Sequence, residues 1–253
     1  MPHIKRTHHM GLLTPSSNTS QEPEFVEVLP RTVSLHASRL TLNNIDAAST
    51  LGIVEELAKE SRKLADADVD VIVLAATAPS SRKGKGYDRE LIKRMEDASG
   101  KPATTASTAL LEALAVLGIR RIAIAAPWTR AMNESVVSFM VANGVEVPHH
   151  DAMGIVRNND VGRIEPDQVY EFGLQADRPE AEALLLACGN WWAMDAVERL
   201  EQKLGKPVLT TNGVSIWAAL RIMRSHASIA GYGKLLRDYL GPETASPKLA
   251  SAA

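Results

Sequence analysis

Cysteine is nearly absent from this chain: 253 residues contain one, Cys188. An internal disulfide is therefore excluded, and the usage suits a reducing compartment. Net charge is also missing. Lys and Arg number 28 against 30 Asp and Glu, a balance of -2, which gives no electrostatic case for nucleic acid or an anionic membrane surface. No apolar run approaches a membrane span, and the opening MPHIKRTHHMGLLTPSSN carries no apolar core of signal-peptide length. A cytoplasmic protein without nucleic-acid or membrane partners is expected. No dinucleotide fingerprint, Walker motif or GxSxG elbow occurs, so no cofactor is indicated. His3, His8, His9, His149 and His150 lack metal-ligand spacing with carboxylates, and no metal is expected.

What is present is apolar and alternating. A hydrophobic content of 45% can bury a substantial core, as one large α/β domain or two small ones. Strand patterns at 10–15, 34–42, 69–77, 119–128 and 181–189 alternate with helical patterns at 50–67, 88–98, 129–142, 166–175 and 191–203. That alternation predicts βα units with mainly parallel sheets covered on both faces. The segment APSSRKGKG reads as a solvated polar loop; it lacks the order of a phosphate-binding loop. The final ETASPKLASAA reads as a frayed tail.

The chain also repeats. Pro15 and Pro127 are 112 residues apart, as are Ala76 and Cys188, while GKPATTASTALLEAL and GKPVLTTNGVSIWAAL match at an offset of 105. The expectation is two similar lobes with flavodoxin-like parallel sheets, related by a pseudo-twofold axis. Residues 1–118 with a C-terminal segment of about 213–240 would form one, and 119–212 the other. Ligands bind beyond the carboxyl ends of parallel strands, so the active site is expected between the lobes. Its rim would be Pro15 to Thr19, Ala76 to Ser81, Pro127 and Trp128, and Cys188 to Asn190.

Cys188 closes the apolar run LLLACGN ahead of an amphipathic helical pattern. A thiol facing a helix N-terminus sits beside free N–H groups, where anions bind; a lone cysteine is also commonly a small buried hydrophobe. In TPSSNTS, Ser16, Ser17 and Asn18 offer hydroxyls, an amide and turn N–H groups suited to a carboxylate. The same residues read equally as a helix cap before QEPEF. Thr77 mirrors Gly189 in the repeat and offers a hydroxyl and an N–H.

TPSSNTSQEPEF, GKPATTASTALLEAL, RRIAIAAPW, LLLACGNWWAMDAVERLEQKLGKPV and GYGKLL, with the strand-end position 76, together resemble the aspartate/glutamate racemase superfamily. The nearest branch is that of maleate cis-trans isomerase and arylmalonate decarboxylase. The resemblance implies cofactor-independent chemistry at the carbon next to a carboxylate. In the racemases and the isomerase two cysteines face each other across the substrate. Here the second is Cys188, and the first falls at Ala76. Decarboxylases of the branch have a small residue at the first position and use the remaining thiol to protonate an enediolate.

Carried over by position, the resemblance makes Cys188 the proton donor and puts Thr77, Gly189 and Asn190 near the carboxylate. Asn18 matches a carboxylate-binding asparagine of the isomerases, absent from the decarboxylase, and Asn158 a second one. Trp128 stands where relatives carry a tyrosine, and Ala78 where the decarboxylases carry serine. The leading expectation is decarboxylation of a malonate-type acid. The alternatives are a maleate isomerase or racemase with its first cysteine replaced by Ala76, and a non-catalytic protein that binds a small carboxylate or dicarboxylate. Apolar helix faces permit a homo-oligomer.

Overall fold

The computed structural model describes residues 4–241; His3 and the tail ETASPKLASAA lie outside them. Strand β1 (His8–Pro15) leads into α1 (Gln21–Val28), β2 (Val33–Leu40), α2 (Ala47–Asp66) and β3 (Val71–Leu74). Then come α3 (Thr77–Ser81), α4 (Tyr87–Ser99), β4 (Ala103–Thr105) and α5 (Ala106–Leu117). The second half gives β5 (Arg121–Ala126), α6 (Arg130–Ala142), β6 (Glu146–Ala152), α7 (Asn158–Val161), α8 (Pro166–Ala176) and β7 (Ala183–Leu186). It closes with α9 (Met194–Leu204), β8 (Val208–Thr210), α10 (Thr211–Ile222) and α11 (Lys234–Asp238).

The strands form two four-stranded parallel sheets, ordered β2-β1-β3-β4 and β6-β5-β7-β8. Both orders are the flavodoxin-like 2-1-3-4. The repeat read from the sequence holds at the level of register. Met10 pairs with Val71 and Leu13 with Leu74, and 112 residues later Ile122 pairs with Ala183 and Ala125 with Leu186. Central strands of such sheets are covered on both faces and read as unbroken apolar runs; VIVL of β3 and ALLL of β7 are buried throughout.

The helices after the fourth strands begin alike. Thr105 accepts a hydrogen bond from the Thr108 N–H, and Thr210 one from the Gly213 N–H, each hydroxyl satisfying a donor that a helix start leaves free. Helix α10, which follows β8, packs against α5 and reaches β3 and β4 of the other sheet. The second half thereby seals the first.

Three expectations are corrected. The third strand stops at Leu74 rather than at Thr77, and residues 77–81 form a buried helical turn instead of a solvated loop. The Ser80 hydroxyl donates to Ala76 O and the Ser81 hydroxyl to Thr77 O, so side chains that read as loop-forming are satisfied within the helix. Likewise the helix expected from 191 begins at Met194. Trp191 is driven into the core, where it meets Phe172 with ring centroids 6.0 Å apart, and its carbonyl accepts the Ala193 N–H in a tight turn.

Candidate active site

Beyond the carboxyl ends of β1, β3, β5 and β7 lies a cavity of about 40 Å³. It brings together Pro15, Asn18, Ala76, Thr77, Ala78, Trp128, Asn158, Cys188, Gly189 and Asn190. Among the described residues, no charged side chain lines it. Ser16 and Ser17 fall outside the lining. Ser16 is exposed and its hydroxyl accepts the Leu42 N–H at 3.1 Å; the Ser17 hydroxyl donates to Leu42 O and accepts from Asn158 Nδ2 at 2.9 Å.

These two serines anchor a strap over the cavity. The segments that follow β2 and β6 pair antiparallel: Ile45 N donates to Val156 O at 2.8 Å, and Asn158 N to Asn43 O at 3.1 Å. Leu42 and Ile45 form the strap's apolar underside and line the cavity, together with Thr50 and Pro79. Pro79 falls within the expected rim; Leu42, Ile45 and Thr50 do not. Leu42 and Ile45 follow a strand as the other rim residues do, so the strand-end rule would have reached them had it been applied to the second strand.

Cys188 stands two residues past β7 and is buried. Five residues, 189–193, lie between it and the first residue of α9, so the thiol is not part of that helix's opening turn. Its polar contact is the Asn190 N–H, 3.4 Å from Sγ. Burial pushes the thiol up to about 12, the Asn190 N–H opposes the shift, and the charge of nearby Glu24 adds to it. The sulfur is therefore a protonated thiol at neutral pH, further from ionisation than the ordinary value of about 8.5 that its sequence alone suggests.

The polar residues divide into donors left for a ligand and donors already committed. Asn18 Oδ1 accepts the Ser20 and Gln21 N–H groups at 3.1 and 2.9 Å and so caps α1, while its Nδ2 remains to donate. The helix-cap reading of TPSSNTS is thus realised in the oxygen of Asn18. Asn190 is spent on structure: Oδ1 accepts the Thr19 N–H at 2.8 Å and Nδ2 donates to Asn158 O at 2.6 Å. Asn158 directs Nδ2 to Ser17, and Thr77 Oγ1 shares a 2.8 Å bond with Thr211 Oγ1. Trp128 is buried with Nε1 unpartnered, a donor whose burial costs free energy unless something accepts from it.

Two further buried residues stand behind the site. Glu24 of α1 accepts from Asn212 Nδ2 at 2.5 Å and from the Met194 N–H at 3.0 Å, and Asn212 Nδ2 also donates to Gly189 O at 3.1 Å. Glu24 lay in a segment read only as a helix start, and an acid in a first turn gives no sign in sequence of being buried.

The arrangement has close relatives among known proteins. A maleate isomerase from Pseudomonas putida is 30% identical over 246 residues, covering 92% of this chain and 98% of that protein. An arylmalonate decarboxylase from Bordetella bronchiseptica is 28% identical over 205 residues, 80% of this chain and 85% of the relative. In structure the chain matches a Nocardia farcinica maleate cis-trans isomerase mutant that holds a covalently bound succinylcysteine intermediate. The TM-score is 0.86 at 25% identity, with coverage of 91% and 98%. The family model described as arylmalonate decarboxylase matches residues 10–236, and with most of its length so matched this chain belongs to the arylmalonate decarboxylase family.

Proposed function

We propose that the chain is a cofactor-independent enzyme acting at the carbon next to a carboxylate, decarboxylating a malonate-type acid with Cys188 as the proton donor. One observation carries this reading: Ala76 and Cys188 occupy equivalent positions of the two repeats and line one cavity, and only one of them has a functional group. Chemistry needing a proton-transfer group on both faces of a carbon has no second group here.

The steps follow from the residues. The retained carboxylate takes hydrogen bonds from Asn18 Nδ2 and Trp128 Nε1, neutral donors fixed before the substrate arrives. The departing carboxylate lies against the apolar wall of Leu42, Ile45 and Ala76, where a charge is poorly solvated and neutral CO2 is favoured. The bond to CO2 breaks with its electron pair left on carbon, delocalised into the retained carboxylate as an enediolate. The Cys188 thiol gives its proton to that carbon, and the thiolate recovers one from water. A thiol held protonated suits this role better than that of a nucleophile, which acts as thiolate. A cavity of about 40 Å³ holds only a few waters, so substrate entry displaces the strap at residues 42–45. The lobes are taken as 1–118 with about 213–240, and 119–212, a division that the packing of α10 on α5 supports.

A second reading is a maleate-type isomerase or racemase in which Ala76 stands for a cysteine. The match to maleate isomerases over nearly the full chain favours it, as does Asn18 in the cavity. The test is turnover of 2-substituted malonates and of maleate by the chain and by Ala76→Cys. CO2 release by the unaltered chain is expected. Maleate-to-fumarate conversion without CO2 release would decide for the isomerase. Binding of carboxylates with no turnover in either form would decide for a non-catalytic binding protein.

A further inference from the structure

We propose that Glu24 is a positioning residue of the site, holding the Cys188-Gly189-Asn190 turn against the first lobe through Asn212. Gln21, Glu24 and Asn212 are all buried and join in one network. Gln21 Nε2 donates to Ala75 O and to Asn212 Oδ1, both at 2.7 Å, tying Asn212 to the strand end beside Ala76. Asn212 Nδ2 bridges Glu24 Oε2 and Gly189 O, the carbonyl next to the thiol-bearing residue. Glu24 Oε1 accepts the N–H of Met194, the first residue of α9, whose own N-cap position holds Ala193 and offers no side-chain acceptor. One carboxyl of the first lobe therefore fixes both ends of the segment from Gly189 to Met194.

The packing leaves no room for a side chain at the turn. A Cβ added at Gly189 would collide with Gln21 Nε2 and lie 2.8 Å from Ala75 O and 3.3 Å from Asn212 Oδ1. The turn is pressed against the network at the point where the two repeats meet. A shift of the turn moves the Asn190 N–H relative to Sγ and the thiol relative to the cavity, and displacements of this kind are costly in catalysis without weakening substrate binding. Cys188 and Tyr232 sense the charge of Glu24, and Asp195 at the start of α9 acts on Glu24 in turn.

The effect on turnover rests on the role proposed for Cys188, so the deciding experiment reads the thiol directly. The chain has one cysteine, and alkylation by a small neutral reagent, followed by mass, reports on it alone. Rates between pH 7 and 10 are compared for the parent, Glu24→Gln, Asn212→Ala and the control Glu27→Gln on the exposed face of α1. Glu24→Gln leaves one acceptor oxygen for two donors, so an amide NH2 faces either Asn212 Nδ2 or the Met194 N–H and one end of the segment is released, while Asn212→Ala removes the bridge and leaves the acid. Both variants are expected to alkylate about tenfold faster than the parent, with rates unchanged by dilute urea, and the control to match the parent. In turnover the same variants lose roughly tenfold or more in kcat with KM within about threefold. An alkylation rate within about twofold of the parent in either variant, once shown to be folded, overturns the proposal. If Glu24→Gln does not fold, Asn212→Ala decides alone. Absence of turnover in the parent would count against the catalytic reading and leave the alkylation result standing.

Discussion

Cys188 and Ala76 hold equivalent places in two copies of one βα repeat and line the same cavity, one with a thiol and the other with a methyl group. From that asymmetry follows the expectation of one-sided chemistry.

Replacing the thiol should remove turnover and spare binding. For Cys188→Ser we expect kcat to fall by about 10²- to 10⁴-fold, the usual contribution of a positioned acid, with KM for the malonate changed little, because the donors to the carboxylate lie elsewhere. Steady-state kinetics beside carboxylate titration of the variant checks this.

Asn18→Asp separates the two duties of Asn18. The carboxylate still accepts from the Ser20 and Gln21 N–H groups and keeps the cap of α1. The amide donor is lost and a negative charge enters an uncharged cavity. Thermal stability should stay close to the parent's, while carboxylate affinity falls by about 100-fold or more. Calorimetry and ligand titration give the two readouts.

Gly189→Ala should destabilise through overpacking, since Gln21, Ala75 and Asn212 all stand where the new Cβ must go. A cost of about 1–3 kcal/mol is expected, measured as a lower midpoint in urea with the slope unchanged.

Burial raises Glu24 from 4.5 to about 8, opposed by the Asn212 and Met194 hydrogen bonds. Between those values the unfolded chain has released this proton and the folded chain has not, so the folded state binds more protons and loses stability as pH rises. The penalty grows from about pH 4.5, is complete above about 8, and is on the order of a few kcal/mol. Glu24→Gln cannot titrate. The difference in melting temperature, parent minus variant, should therefore fall steadily from pH 5 to pH 8.5, and a flat or rising difference would contradict the assignment.

Much of this was legible in the sequence because apolar period and repeat offset are local properties. Unbroken runs such as VIVL and ALLL announced central parallel strands, and the offset of 112 between Pro15 and Pro127 anticipated strand registers that match residue for residue. Part of the cavity lining, Pro15, Asn18, Ala76 to Pro79, Trp128 and Cys188 to Asn190, followed from one topological rule. What sequence did not carry was hydrogen-bond commitment. Asn18 and Asn190 look alike as letters, yet Asn190 spends both ends of its amide on Thr19 and Asn158 O, whereas Asn18 spends its oxygen on the start of α1. Nor could composition tell that Ser80 and Ser81 would close a buried helical turn, or that five residues would separate Cys188 from its helix. Each depends on contacts between segments far apart in the chain. Glu24 was missed for the same reason: its partners are Met194 and Asn212, about 170 and 188 residues away.

The most direct measurement is the handedness of the product from a prochiral 2,2-disubstituted malonate, followed by chiral chromatography for the parent chain and for Cys188→Ser. The account predicts release of CO2 and one enantiomer of the monocarboxylic acid from the parent, with both lost in the serine variant. A racemic product, or decarboxylation that survives removal of the sulfur, would contradict it.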